Sequence, residues 1–356
     1  MEQKVNLMNF CRADMENYFL SIDAKRYQAR QVFTWIHKKG ITSFHLMSNI
    51  NKQLQNTLNK YTEISMPEVS NEIIANDGTK KIIIKIKNNL IETVCIPEKN
   101  RMTLCVSSQV GCMLNCSFCC TGKQGFNGNL STSEIIGQLW IAQHRGKKNS
   151  AITNIVLMGM GEPLLNMQQV VPALDIMMDE LAYNLSKYRI VLSTAGVVPA
   201  IYEFIKISNA AITVSLHAPN NKLRNLLVPI NKKYSIETLL DACKFYTEKT
   251  SHNTITFEYI LINQVNDTLE HAQELVEILK AKQIPSKINL IPFNHHIGSV
   301  YKRPSGNRIY RFQKHLKEQG IFSTIRKTRG QEIDGACGQL AGKVYDRTKR
   351  QLRYNK

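Results

Sequence analysis

Between Gly111 and Gly122 the chain runs GCMLNCSFCCTG, so four of its nine cysteines stand within a single short stretch. Thiols at this density are joined in disulfides, wrapped around a metal, or presented by a reactive loop, and each option selects a different class of fold. An odd total disfavours a fully paired disulfide framework. The 356 residues, 43% of them hydrophobic, can bury a large core without a covalent or metal staple, so the thiols call for a chemical explanation. The N-terminal segment MEQKVNLMNFCRADMENYF is charged throughout, and no stretch approaches the roughly 18 apolar residues that span a bilayer. A cytoplasmic protein with no membrane partner is therefore expected, and persistent disulfides are rare in that reducing compartment.

Residues 1–62 carry apolar positions at helical spacing, as in RQVFTWIHKKGITSF and INKQLQNTLNKY, which predicts a small helical module of the kind that touches RNA. The segment 63–98 changes character. Its β-branched runs flank NDG and then NN, so a small antiparallel β linker with hairpin turns is expected there. From 99 to 342, short apolar runs alternate with helical stretches: TLCVSS, NIVLMG, RIVLST, AITVSL, TFEYILI, KINLIP and FSTIRK have the character of parallel strands. Ser131 and Glu134 form a capping-box pattern before one intervening helix. The alternation predicts an α/β fold built as a partial βα barrel, in which chemistry gathers at the C-terminal ends of the strands. Residues 343–356, KVYDRTKRQLRYNK, form a basic tail.

Cys112, Cys116 and Cys119 fall on the loop after the first expected barrel strand. Three thiolates from one loop can hold three irons of a [4Fe-4S] cubane and leave the fourth iron open for a substrate. This spacing is the pattern of the radical S-adenosylmethionine (SAM) superfamily. A structural zinc site is the alternative, with Cys105 as fourth ligand, although zinc knuckles generally pair two short Cys hooks and only one is present. Cys120 has the character of a small buried neighbour, and Cys11, Cys95 and Cys243 suggest no role.

Other groups fit a bound SAM. In LMGMGEP, glycines including Gly161 let the backbone approach a ligand, and Glu162 can accept from an amino group. Leu164 stands where a dinucleotide fingerprint would need its third glycine. Ser193, then Ser215, Leu216 and His217, and finally Asn294 fall at the ends of successive strands, where a barrel presents its ligand groups. Singly, each has the character of a strand-end cap. Lys and Arg number 46 against 28 Asp and Glu, a net charge of +18 that favours a polyanionic partner over a merely solvated surface.

Taken together, CVSSQVGCMLNCSFCCTGKQGFNGNL, MGMGEPLLN, LSTAGVVPA, SLHAPNN, VPINKKY, EYILINQVND, INLIPFN and RKTRGQEIDGACGQLAG resemble the RlmN type of radical-SAM RNA adenine methyltransferase. The resemblance runs in order from about residue 85 to 350, and more loosely through the N-terminal module. It implies a (βα)6-type partial TIM barrel; a [4Fe-4S] cluster on Cys112, Cys116 and Cys119; and SAM held by Gly161, Glu162, Ser193, Ser215, Leu216, His217 and Asn294. It further implies Cys105 and Cys337 as a catalytic pair, Glu92 as proton acceptor and Met158 as a helper near the reacting methyl group.

Carbon 2 of adenine lies between two ring nitrogens and is too electron-poor to attack a methyl sulfonium, so a radical route is required. The family's scheme methylates Cys337 with one SAM, and a second SAM, cleaved reductively, yields a radical that takes hydrogen from that methyl group. The resulting carbon radical adds to the ring. Loss of an electron, removal of the ring proton by Glu92, and attack of Cys105 on the Cys337 sulfur then free the methylated base and leave a transient disulfide. Small residues around Cys337 in DGACGQL permit a mobile loop. The implied substrates are 23S rRNA near the peptidyl-transferase centre and the tRNA adenine beside the anticodon, with a flavodoxin-type electron donor and a monomeric enzyme. Cys120 and Gly335 depart from the Ser or Ala and the Ala more usual at those places. A Cfr-like enzyme acting on carbon 8 of the ribosomal adenine, and a zinc-stabilised RNA-binding protein, are the alternatives.

Overall fold

In KKIIIKI the side chains of Ile82, Ile84 and Ile86 are buried while Lys85 faces solvent, the period of two that a half-covered strand requires. The computed structural model, which describes residues 4–145 and 151–348, places this run in an antiparallel meander. Its strands are β1 (Glu68–Ile74), β2 (Lys80–Ile86) and β3 (Asn89–Glu98), with turns at the NDG and NN positions. The last residues of the basic tail, 349–356, lie outside the described residues.

At β4 (Arg101–Cys105) the pairing changes direction. On one side β4 runs antiparallel to β3, with Val94 opposite Cys105; on the other it runs parallel to β5 (Asn154–Leu157), with Cys105 opposite Val156. The meander therefore continues the barrel's own sheet. Parallel strands follow in β6 (Ile190–Thr194), β7 (Ala211–Ser215), β8 (Ile255–Leu261), β9 (Ser286–Pro292) and β10 (Ser323–Ile325). The 10-stranded sheet keeps chain order from one edge to the other, as right-handed βα crossovers of one hand produce.

Three helices precede the sheet: α1 (Arg12–Ser21), α2 (Arg26–His37) and α3 (Lys52–Tyr61). Besides a single helical turn in the cysteine loop (Cys120–Lys123), seven longer crossover and flanking helices follow among the described residues: α4 (Thr132–His144), α5 (Met167–Met178), α6 (Val198–Ile207), α7 (Asn221–Leu227), α8 (Ile236–Lys249), α9 (Leu269–Lys282) and α10 (Gly306–Glu318). The expected capping box opens α4: the Ser131 hydroxyl accepts from the Glu134 backbone, and the Glu134 carboxylate accepts from the Ser131 N–H at 2.8 Å. The N-terminal helices are docked on the barrel rather than tethered to it. Trp140 Nε1 donates to the Ile36 carbonyl at 2.9 Å, the Ser133 N–H to the Asn9 side chain at 2.8 Å, and one apolar core runs from Leu7 to Val344. Among the described residues no helix is long and apolar enough to cross a membrane.

Candidate active site

The loop after β4 passes through the short antiparallel pair Gln109–Gly111 and Phe126–Asn129, which brackets the cysteine segment and fixes where it stands. Cys116, Cys119 and Phe118 pack against an apolar group at the strand ends that includes Ala195, Ala218 and Ile260. The Phe118 ring meets His217 edge-on, with centroids 4.7 Å apart. Burial raises the Cys112 thiol well above its ordinary range, and the neighbouring Cys116 and Cys119 raise it further. Burial likewise raises Cys119.

The groups expected around SAM gather beside this loop. Gly161 has φ +102°, and a Cβ there would stand 2.5 Å from the Gln109 side chain, so only glycine fits the close approach. The Glu162 carboxylate is buried, accepts from the N–H groups of Leu164 at 3.2 Å and Ala195 at 2.8 Å, and is pushed up to about 7 by that burial. It is also near enough to Cys112 for the two to feel each other's charge. His217 takes a positive φ of 63° and accepts at Nδ1 from the Ile260 N–H at 3.0 Å, while burial pushes it down to about 3, so the ring is neutral. Its carbonyl accepts from Asn266 at 2.8 Å.

The barrel interior is a cavity of about 870 Å³ lined by Cys105, Met158, Asn294 and Cys337. The strand-end side is covered by the segment around Cys337, which is held rather than loose. Asn294 Nδ2 donates to the Cys337 carbonyl at 3.1 Å, the Cys120 N–H to the Gly338 carbonyl at 2.9 Å, and Thr121 Oγ1 to the Leu340 carbonyl at 2.6 Å. A Cβ on Gly335 would stand 3.3 Å from the Gly330 carbonyl, so the glycine relieves a tight fold-back in this segment. Glu92 stands outside the cavity lining. Buried on β3, it pairs with Lys81 at 3.2 Å and accepts from the Ala341 N–H at 3.1 Å, which ties it to the Cys337 segment rather than to open space.

Two residues that motif reasoning passes over complete the cavity. Glu258, on β8, is buried, receives Ser193 Oγ at 3.5 Å, and faces Arg326 Nη1 at 3.7 Å. Arg326 Nη1 also reaches the Met158 sulfur at 3.5 Å. Burial raises Glu258, opposed by Arg326. Burial pushes Cys105 up to about 12 and also raises Cys337, and in both the Arg326 guanidinium works against the rise. A carboxylate inside the apolar strand TFEYILI was the available signal for Glu258, because a parallel strand covered on both faces tolerates charge only where it is used or paired.

These groups suit an iron–sulfur cube and SAM. Cys112, Cys116 and Cys119 come from one loop beside the strand ends, and three thiolates so placed match three corners of a cubane and leave its fourth iron open. Adjacent to the thiols, buried Glu162 offers an acceptor for an ammonium group, and Glu258 Oε1 has no hydrogen-bond donor among the described residues.

Residues 5–64 match the family described as ribosomal RNA large subunit methyltransferase N-terminal domain, and residues 106–279 match the radical SAM superfamily. A dual-specificity RNA methyltransferase RlmN from Francisella tularensis subsp. novicida (strain U112) is 54% identical over 360 residues, covering 100% of this chain and 97% of that relative. Its counterpart from Francisella tularensis subsp. holarctica (strain FTNF002-00 / FTA) is 53% identical over the same shares. The crystal structure of a radical SAM methyltransferase from Sphaerobacter thermophilus superposes with a TM-score of 0.88 at 37% identity, over 94% of this chain and 99% of that one.

Proposed function

The chain belongs to the RlmN family of dual-specificity RNA methyltransferases, radical-SAM enzymes that use a [4Fe-4S] cluster and S-adenosylmethionine, and from that premise we propose that it methylates carbon 2 of adenine in 23S rRNA and tRNA through Cys337 and Cys105. Cys112, Cys116 and Cys119 would hold the cluster, and Gly161, Glu162, Ser193, Ser215, Leu216, His217 and Asn294 would surround SAM. When bound, these groups supply an electron, a methyl group and a carbon radical. Everything else falls to the protein's own side chains.

The observation that carries this reading is the pairing of Cys105 and Cys337 on one cavity with Arg326 within electrostatic reach of both. Accepting a methyl group makes Cys337 a nucleophile, and the thiolate is the reactive form. Burial opposes that form, and the guanidinium restores part of it. Cys105 must later attack the Cys337 sulfur, and the same cation serves it. Asn294 holds the Cys337 carbonyl, and Met158 is fixed beside the thiols by its contact with Arg326. Glu92, paired with Lys81, would accept the ring proton once a shift of the Cys337 segment frees its carboxylate from Ala341. A flavodoxin-type donor, a monomeric enzyme and a cytoplasmic location complete the reading.

The test is mass spectrometry of rRNA and tRNA nucleosides from a strain lacking the gene. Loss of 2-methyladenosine, restored by the wild-type gene and not by Cys337→Ala, supports the assignment. Unchanged 2-methyladenosine, or loss of 8-methyladenosine in its place, overturns it.

A further inference from the structure

The two ends of the cavity differ in chemistry. Toward the strand ends its lining includes the buried residues Ala336 and Leu340 of the Cys337 segment, with Arg326 half-buried and Lys327 exposed just after β10 and no exposed aromatic side chain beside them. Toward the strand starts its lining is Arg101 at the head of β4, Tyr188 and Arg189 just before β6, Lys287 on β9 and Phe322 just before β10. All of these are exposed, the two aromatic side chains to 61% and 60%.

Large aromatic faces left in water beside three cations call for an occupant. Tyr188 is braced, its ring meeting the edge of His252 with centroids 5.3 Å apart and Lys187 Nζ lying 5.2 Å from its centroid. Arg101 is paired with Glu98 at 2.6 Å, so Arg189 and Lys287 give the rim its net positive charge. From Arg101 to Cys105 the strand advances at most about 13 Å at ~3.3 Å per residue, which sets the depth of the thiol below the rim.

An adenine in folded RNA reaches a buried reacting group only when its nucleotide is extruded, and its backbone then stays at the entrance. Phosphates there meet cations, and the bases on either side find aromatic faces to stack on. We propose that RNA docks on the strand-start rim, opposite the cysteine loop, with Tyr188 and Phe322 stacking on nucleotides flanking the extruded adenosine and Arg189 and Lys287 binding their phosphates. This rests on the RNA methyltransferase reading. An acidic electron-donor protein is the competing occupant: it would use the charge, but it gives no use to exposed aromatics at the mouth of a deep cavity.

The experiment measures binding of a synthetic anticodon stem-loop RNA to the full-length, cluster-loaded protein by fluorescence anisotropy across salt concentrations. Tyr188→Ala and Phe322→Ala should each weaken binding roughly fivefold to a hundredfold, with Tyr188→Phe close to wild type. In Arg189→Gln with Lys287→Gln, the log–log salt slope should become shallower by about 0.7 for each phosphate that the variant no longer neutralises. Lys206→Gln with Lys314→Gln, on the outer helices α6 and α10, removes the same charge elsewhere and should leave the slope as it is. Rim variants that bind like wild type, or outer-helix variants that lose as much, overturn the docking site. So does a loss confined to reduction of the cluster by flavodoxin, which would assign the rim to the electron donor. A wild-type protein that binds RNA yet makes no methyladenosine would instead count against the functional reading and leave the rim standing.

Discussion

A thiol that must attack a sulfur is poorly served by a dry site, and Cys105 is in one: its residue is buried at the last position of β4, and the thiol is pushed up to about 12. A nearby cation offsets part of that cost, and Arg326 lies close enough to act on both cysteines. If Cys105 resolves the link between RNA and Cys337, Cys105→Ala should complete the earlier steps and stop. The expected product is RNA covalently held on Cys337, retained on denaturing gels and located by mass spectrometry of nuclease-trimmed peptides. Multiple turnover should fall by at least ~10²-fold; ordinary turnover by this variant would remove the resolving role. Arg326→Gln should slow methylation of Cys337 itself, read by peptide mass after one exposure to SAM, while leaving the methylated residue competent. Spacing alone marks Cys112, Cys116 and Cys119, whereas Cys105 in an apolar strand and Cys337 in a C-terminal loop carry no such mark and are expected only from the family resemblance. Arg326 was not legible, since in IRKTRG it is one cation among three, and its contacts with Met158 and Glu258, both distant in sequence, are what distinguish it.

Elements carry the cofactor groups, and their ends must be held in register to do so. Ser215, Leu216 and His217 leave β7 as its backbone turns away from the sheet, so their carbonyls lose ladder partners. Arg224 of α7 supplies replacements for Ser215 and Leu216, as Asn266 does for His217. Fully buried, Arg224 donates from Nε to Leu216 O at 3.0 Å, from Nη2 to Ala195 O at 2.7 Å and Ser215 O at 3.0 Å, and from Nη1 to Asn231 Oδ1 at 2.9 Å. Burial lowers it to about 10, which leaves it charged at neutral pH. A lysine has no planar fork to span these acceptors, and a methionine leaves them all unsatisfied at roughly 1–3 kcal/mol each. Arg224→Met should therefore cost about 3 kcal/mol or more in denaturant unfolding. Arg224→Lys should weaken SAM binding by calorimetry more than it lowers the unfolding midpoint, and unchanged SAM affinity in a folded Lys variant would refute the bracing role. The strands themselves were readable from β-branched runs. The union of meander and barrel was not, because the turn Lys99-Asn100 that folds β4 back onto β3 carries no Gly or Pro to announce it.

At the scale of the whole molecule, the N-terminal helices are joined to the barrel through a contact that acid should loosen. His37, the last residue of α2, is fully buried between Phe33 and Tyr183, with centroids 4.7 Å and 5.8 Å away. Neither ring nitrogen has a hydrogen-bond partner among the described residues, although its carbonyl meets His144 Nε2 at 3.0 Å. Burial, with a smaller push from His144, lowers it to about 3. The folded state therefore keeps this ring neutral where the unfolded chain, titrating near 6.5, takes up a proton. Its contribution is intact above about pH 6.5 and is lost as pH falls toward 3, at about 1.4 kcal/mol per pH unit. His217, lowered by its own burial, adds a loss in the same direction, so the wild-type profile is a sum. His37→Phe separates the two, since it fills similar space without a titrating group. Between pH 7 and pH 5 the stability lost by this variant in urea should be about 2 kcal/mol smaller than that lost by wild type. An equal loss would mean that His37 takes up its proton in the folded protein, and that the joint between helices and barrel does not depend on its neutrality.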